Sequence, residues 1–539
     1  MPTITKDKII WDRKDWLAGL HPQYTATGHY AQAGGNYAAT QRCFNPFRFL
    51  GYACPGYNPT AVTNASIVLS SFIRNGFNND KYAYLIENGA KIHRYDIINN
   101  SLLNDSAGVG FPHTIAHGAH TTIVGNDCVL YNHKVGGTSA MRYLYSFNDA
   151  TDWDIGTCDM KISTPTFDDD FMSTAPATPL GAPYLTGGKG YPHPLIVGDD
   201  DILYIGDRNY LHAYDGKNTA DSDGKFIEKA LIIPEGYIIT SFAKIRPKTL
   251  CIFAYYDSTG TGTGEAFFRG NVKCFFWNYL DLDPFDVEDL DDNIVSEAFE
   301  YQGTVGCFTS GRPTDIANAT KNSKLKIYDG DKFVDVAYFM GGIPIRGGVD
   351  VVGREIKWLE SSGGKIFSYN NNFGIQPSLN IIGESYGAAT ASGLLKTFGS
   401  SALLASSYSY DESNYYYYCN TVNSGYYGSS IYTSSMVELD DNVEITEIRV
   451  KFLGDATGGR DFTMNIQDEF GTVTKTIISN LSTITAKNRT ITIPGLTTDG
   501  KMIPSLRRFK IALTWGLGSG ANQTPIVSKI EMTYKPSKY

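Results

Sequence analysis

The chain has 539 residues, enough for two or more domains, with 42% hydrophobic residues, 13% aromatics, 36 Tyr and 55 Gly. Charged residues make up only 19%, against ~25% for an average soluble domain, so much of the surface is suited to permanent subunit contacts or to sugars. The net charge of -10 and pI of about 5.4 argue against a surface built to grip phosphates, yet permit a channel that DNA slides past without sticking.

Met1 to Lys8 has no apolar core of the kind a secretory signal needs, and no run approaches the ~20 apolar residues of a membrane helix. The chain is therefore expected to be assembled in a cytoplasm, with no membrane partner. Residues 1–65 are expected to form an irregular, extended arm. Trp11 to Gln23 has aromatic and leucine anchors without a sustained period, Gly28 to Tyr37 is rich in Gly and Ala, and Arg42 to Tyr57 sets aromatics between prolines and glycines. A long aperiodic stretch with so many aromatics needs a surface to pack on, either its own domain or a neighbouring subunit.

Ile67 to Ile73 is the first expected strand. Beyond it a unit recurs: apolar alternation, a polar turn, apolar alternation, then an aromatic and Asp or Asn. The clearest copy is Leu203 to Gly216, L-Y-I-G-D-R-N-Y-L-H-A-Y-D-G, which reads as a β-hairpin about Gly206-Asp207-Arg208-Asn209, with Leu203, Ile205, Leu211 and Ala213 on one face. Taking Tyr95, Phe147, Tyr214, Trp277, Tyr328, Tyr369 and Tyr418 as unit ends gives separations of 52, 67, 63, 51, 41 and 49 residues. Four-stranded propeller blades recur at roughly 40–50 residues, and a lone hairpin is marginal in water. Residues 66–420 are therefore expected to form a β-propeller of about seven blades, closed by pairing Ile67 to Ile73 with Ser406 to Cys419. Only Ile294 to Tyr301 and Ser378 to Leu395 carry helix-like spacing.

Thr421 to Ser430 reads as a linker. Val443 to Phe452, Phe462 to Ile466, Val473 to Ile478, Arg489 to Ile493, Phe509 to Trp515 and Ile526 to Tyr534 then alternate with turn residues between them. This pattern predicts an antiparallel β-sandwich over 431–539 and an all-β chain throughout.

No catalytic, cofactor or metal residue is assigned. His113, His117 and His120, with His133 nearby, have zinc-like spacing but lie among Pro and Gly without an acid ligand, and read as loop histidines. The acids at Asp168 to Asp170, Asp199 to Asp201 and Asp281 to Asp292 read as solvated turns, and Asp221-Ser222-Asp223-Gly224 is a fragment of a calcium loop. The eight cysteines, Cys43, Cys54, Cys128, Cys158, Cys251, Cys274, Cys307 and Cys419, contain no C-x-x-C and read as isolated reduced thiols. Ser146, Asn148 and Trp153 resemble the Asp-box turn of sialidase-type propellers, without that family's Asp, Gly and Thr. Arginines of the kind its chemistry needs, such as Arg208, Arg269, Arg312 and Arg346, are scattered, and nothing marks them as a cluster.

The layout resembles that of tailed-bacteriophage virion proteins. Asp15 to Gln23, D-W-L-A-G-L-H-P-Q, is similar to their opening motif, Asn45 to Gly56 to their lead-in to the first blade, and Pro525 to Pro536 to their closing sandwich strand. The resemblance implies a non-enzymatic structural protein without a cofactor: a homo-oligomeric ring in the virion tail or nozzle. Its partners would be portal, adaptor or fibre proteins, and genomic DNA would pass through without specific binding. A carbohydrate-binding or sialidase-like propeller is the alternative.

Overall fold

The computed structural model describes residues 8–13, 16, 38–42, 44, 52–56, 60–61, 73–78, 82–87, 92–96, 101–103, 128–135, 137–148, 153–159, 166–168, 193–218, 220, 224–256, 272–292, 294–310, 322–340, 342–344, 348–360, 365–370, 378–384, 389–398, 402–409, 414–420, 430–456, 461–487, 489–494, 506–516 and 524–536. Every regular element among them is a strand, and no helix is long and apolar enough to cross a membrane.

The strands build seven four-stranded antiparallel sheets and one nine-stranded sheet. In chain order the seven span 73–103, 128–168, 195–232, 237–289, 294–340, 349–384 and 389–420. The opening strand of each lies against the opening strand of the next, and Ala389–Phe398 of the last lies against Ile73–Asn78 of the first. The series therefore closes on itself in a propeller-like, all-β arrangement. Each of the seven aromatic landmarks falls in a different sheet. Tyr95, Tyr214, Trp277, Tyr328, Tyr369 and Tyr418 occupy third strands, while Phe147 occupies a second.

Burial follows position within a sheet. The second and third strands of the third sheet, Leu203–Asp207 and Tyr210–Asp215, are buried on both faces, whereas its outer strand Lys225–Ile232 is largely exposed. The hairpin register places Leu203 opposite Tyr214, Tyr204 opposite Ala213 and Ile205 opposite His212. Leu203 and Ile205 therefore share their face with His212 and Tyr214, and Leu211 and Ala213 share the other with Tyr204. The expected single apolar face is corrected by one register step: both faces are apolar because a neighbouring sheet covers each. Leu203, Ile205 and Tyr214 pack with Tyr131 of the second sheet, and Tyr204 and Leu211 with Ile239 and Trp277 of the fourth. Gly206 is required by close approach, since a Cβ there would lie 2.7 Å from Pro194 and 3.0 Å from Ile239.

Hydrogen bonds tie sheet to sheet. The Tyr131 hydroxyl donates to the carbonyls of Asp201 and Tyr214, both at 2.9 Å. The Ala298 amide donates to Ser241 Oγ at 3.0 Å, and the Tyr301 hydroxyl to the Arg354 carbonyl at 3.0 Å.

Three further expectations are corrected. Both helix candidates are strands: Ile294–Tyr301, Ser378–Glu384 and Ala389–Phe398. Register shifts between Val295 and Glu297, opposite Ile366/Phe367, and within Ala389 to Leu395 insert extra residues. Each bulge breaks strict alternation and leaves apolar spacing that mimics a helix. Closure also uses other residues. Thr60 and Ala61 pair with Tyr418 and Tyr417 of the last sheet, whereas Ile73–Asn78 opens the first sheet and Ile67 to Phe72 lie outside the described residues.

The third correction concerns the N-terminus. Lys8–Arg13 pairs with Val527–Pro536, and Ala38–Arg42 pairs with Ser430–Ser434. The stretch expected to be an irregular arm supplies two strands to the C-terminal sheet. The six expected C-terminal strands coincide, to within a residue at Arg489 and Ile526, with parts of Val437–Phe452, Phe462–Gln467, Val473–Leu481, Thr490–Pro494, Leu506–Trp515 and Val527–Pro536. Phe462–Gln467 alternates buried and half-buried residues, as one covered face dictates. Of the expected linker, 421–429 lies outside the described residues and Ser430 begins a strand.

Candidate functional site

Between the third and fourth sheets lies a groove of about 890 Å³ lined by Arg208, Tyr210, Ile232, Pro234, Glu235, Tyr237, Phe275, Asp283, Pro284 and Val287. One wall is the hairpin turn, where Arg208 sits at a φ of 54°, in the left-handed region. The other is the loop from Asn278 to Phe285 and the strand Asp286–Asp289 that follows it. Pro234-Glu235-Gly236 joins the sheets beneath, and a Cβ on Gly236, at a φ of 87°, would lie 2.5 Å from the Tyr256 ring. The Lys229 ammonium covers the Tyr210 ring at 4.8 Å.

The loop beside this groove holds apolar side chains in solvent. Leu280 is 84% exposed, Leu282 86% and Phe285 56%. Hydrogen bonds hold its backbone near both ends. Asn278 Oδ1 accepts from the amides of Leu280 and Asp281, both at 3.0 Å, the Trp277 indole donates to the Asp281 carbonyl at 2.7 Å, and the Phe285 amide to the Phe276 carbonyl at 2.9 Å. Acids flank these residues, and burial together with Asp286, Asp331 and Asp289 raises the Glu288 carboxyl above its ordinary value.

The acidic run Asp281 to Asp292 is therefore not uniformly a set of solvated turns. Asp281, Asp286 and Asp289 bond local amides or side chains at the surface. Asp292 is 4% exposed and accepts from Thr309 Oγ1 at 2.8 Å, with Lys324 Nζ at 3.1 Å and Lys326 Nζ at 3.3 Å. Lys326 also reaches Asp335 at 2.6 Å. Sequence spacing carries no trace of this network, because its members come from a loop and three strands of the fifth sheet.

Burial raises the Asp335 carboxyl, but hydrogen bonds from Lys326 and Tyr338 outweigh it and leave the group below 3.8; burial lowers Lys326, but Asp335 and Asp292 leave it above 10.5. The carboxyl's stabilising effect is complete above the unfolded value and disappears as pH falls through the depressed folded value. The ammonium's effect is complete below 10.5 and disappears as pH rises through the raised folded value. In urea unfolding of wild type against Asp335→Asn, the stability difference is expected to be constant from about pH 5 to 10 and to shrink at both extremes. A difference that grows toward acid pH would contradict it.

Cys251, Cys274 and Cys307 lie buried together, and they and Cys54 are free thiols. Burial, then the neighbouring Cys251 thiol, pushes Cys274 well up, which disfavours its thiolate. Asp199 to Asp201 form a turn, with Asp199 facing Lys244 at 3.3 Å and Asp201 facing Lys217 at 2.7 Å. His212 Nε2 lies 3.5 Å from Asp207 Oδ2, both fully buried. His113, His117, His120, Asp221 to Asp223, Arg269, Arg312 and Arg346 lie outside the described residues, as do the side chains of His133, Asn148 and Trp153. Among the described residues no group of His, Cys, Asp or Glu is arranged to hold a metal ion.

No protein-family model matches the chain, and no curated protein matches it. Among solved structures, the Dos1 propeller is similar at 13% identity over 68% of this chain and 94% of its own, with a TM-score of 0.37. Drosophila Plexin A, solved in complex with Semaphorin 1b, is similar at 8% identity over 68% of this chain and 88% of its own, also at 0.37. The computationally designed Ika8 protein gives 10% identity over 65% of this chain and 96% of its own, at 0.35. At these TM-scores the likeness carries no argument about activity or partners.

Proposed function

We propose that the chain is a seven-bladed β-propeller with a C-terminal β-sandwich, and that it is a non-catalytic structural subunit of a tailed-phage virion. It would form a ring in the tail or nozzle that lines or braces the DNA exit channel. Cyclic contact among seven four-stranded sheets supports the blade count. The sandwich is supported by the two ways Val437–Phe452 pairs: its start with Leu506–Trp515, its remainder with Val527–Pro536 and Thr490–Pro494. On this reading the strand would pass from one layer of the sandwich to the other.

The observation that carries the functional reading is the outward exposure of Leu280, Leu282 and Phe285 in one hydrogen-bonded loop. Apolar side chains pinned in water weigh against an isolated monomer and favour an assembly that covers them. The net charge of -10 fits a lumen past which DNA moves freely. Portal, adaptor or fibre proteins would be neighbours, and assembly would take place in the host cytoplasm. Sedimentation and negative-stain imaging of the recombinant chain are expected to show discrete rings, and labelled antibody should decorate virion tails. A strict monomer absent from the particle would refute the reading.

A second reading, carbohydrate binding, is favoured by the groove, where Tyr210 and Tyr237 stand beside Arg208, Asn209, Glu235 and Asp283. A glycan array and a fluorogenic sialoside assay separate binding from cleavage.

A further inference from the structure

The groove between the third and fourth sheets has a pinned floor. The crossover from Ile232 to Tyr237 carries the chain from the outer strand of one sheet to the opening strand of the next. The Ile233 amide donates to the Asn209 carbonyl at 2.9 Å, Asn209 Nδ2 to the Ile233 carbonyl at 3.0 Å, and the Ile239 amide to the Arg208 carbonyl at 2.8 Å. These bonds tie the crossover to the hairpin turn beside it. Ile233, Ile239 and Phe275 lie beneath, buried in the core that joins the two sheets.

Two kinds of group line the space above this floor. Tyr210 and Tyr237, on different sheets, are both half-buried. The Tyr237 ring meets Phe275 and Tyr256 edge-on, each at 5.4 Å, and Ile232 and Val287 add exposed apolar surface. The cations here are engaged. Lys229 Nζ lies over the Tyr210 ring at 4.8 Å and 3.3 Å from Glu228, while Arg208 has a partner within the protein and an Nε closed off from solvent. The carboxylates are not. Glu235 comes from the crossover and Asp283 from the loop on the fourth sheet; both are exposed, and among the described residues neither makes a hydrogen bond or ion pair.

We propose that this groove holds a neutral oligosaccharide, with sugar hydroxyls donating to Glu235 and Asp283 and an apolar ring face lying on Tyr237. The proposal rests on the carbohydrate reading above and narrows it to glycans without acidic groups. Arg208 and Lys229 stand against Glu228, Glu235 and Asp283, so the groove gives little net attraction to a ligand of either sign. What it offers is hydrogen-bond acceptors beside aromatic rings. A carboxylate only accepts, and its two oxygens can take neighbouring hydroxyls of one pyranose, whose C–H face packs on an aromatic ring. A sialyl or uronyl carboxylate would instead meet Glu235 and Asp283 with no uncommitted cation to offset the repulsion. The volume of about 890 Å³ has room for more than one sugar ring. No bond needs to break, so the site suits a non-catalytic subunit.

A glycan array carrying maltohexaose, cellohexaose and chitohexaose beside sialyllactose and hexagalacturonate tests this on the full chain. At least one neutral probe is expected to bind, with an affinity nearly constant as salt rises, since a neutral ligand has no charge to screen. Glu235→Ala and Asp283→Ala, both at exposed positions, should each cost about tenfold or more in affinity, the scale of a hydrogen bond to a charged group, with wild-type melting. Tyr237→Leu should cost as much by removing the ring; if it melts early, the two acid variants decide alone. Acidic probes bound as tightly as neutral ones, or neutral binding untouched by both acid variants, would overturn this proposal and leave the carbohydrate reading in place. No binding to any probe would overturn both.

Discussion

Replacing Trp16 by alanine is expected to destabilise the C-terminal sheet by about 3–5 kcal/mol, the cost typical of deleting a buried tryptophan. Trp16 is fully buried although it lies in no strand. Its ring meets Tyr432 edge-on at 5.1 Å, and Phe44 packs on Tyr432 at 4.9 Å and Trp515 at 6.2 Å. Tyr432 and Trp515 lie on neighbouring paired strands, Ser430–Ser434 and Leu506–Trp515. The two N-terminal aromatics thus close one end of the C-terminal core. The flanking pairings, Lys8–Arg13 on Val527–Pro536 and Ala38–Arg42 on Ser430–Ser434, depend on the same anchoring. Hydrogen exchange gives a local readout: amides of Ser430–Ser434 should exchange about 100- to 4,000-fold faster in the variant, since each 1.4 kcal/mol is a factor of ten. The seven four-stranded sheets should keep their protection. Unchanged exchange in Ser430–Ser434 would mean that the N-terminal segment contributes nothing to this sheet.

The second large effect is expected at Asp292. Its carboxylate is the shared acceptor for Lys324, Lys326 and Thr309, and Lys326 is itself only 5% exposed. Replacing Asp292 by alanine leaves two ammonium groups with Asp335 as their remaining carboxylate. Removing one partner of a buried ion pair costs about 3–5 kcal/mol, because the desolvated charge stays behind. Urea unfolding of Asp292→Ala should show a loss of that order. Asp292→Leu combined with Lys326→Met should recover most of it, since an apolar pair of similar size needs no solvation. If the single variant loses under about 1 kcal/mol, water reaches the lysines and the network is not truly buried.

Much of the architecture was legible in local patterns. Alternation marked the six C-terminal strands, and the recurring aromatic placed one landmark in each of the seven four-stranded sheets. Where a strand carries a bulge, as at Val295 to Glu297, the same reading fails and a helix is inferred. A doubly covered strand such as Leu203–Asp207 has no polar face, so facing could not be settled before the register was known. The candidate site was hardly legible. The acids of 281–292 all read as solvated turns, because nothing local distinguishes Asp292 from Asp281. The exposure of Leu280 and Leu282 was unreadable, since an apolar residue in a sequence gives no sign of whether anything covers it.

By itself the sequence determined that this protein is all-β, with recurring units through the middle and cleanly alternating strands at the end, because strand period and turn chemistry are local. The tertiary structure alone decided how the chain closes: Thr60–Ala61 on the last of the seven sheets, Lys8–Arg13 and Ala38–Arg42 on the C-terminal one. Those pairings join residues hundreds of positions apart through backbone hydrogen bonds, which any side-chain sequence can make, so only the fold selects the partners.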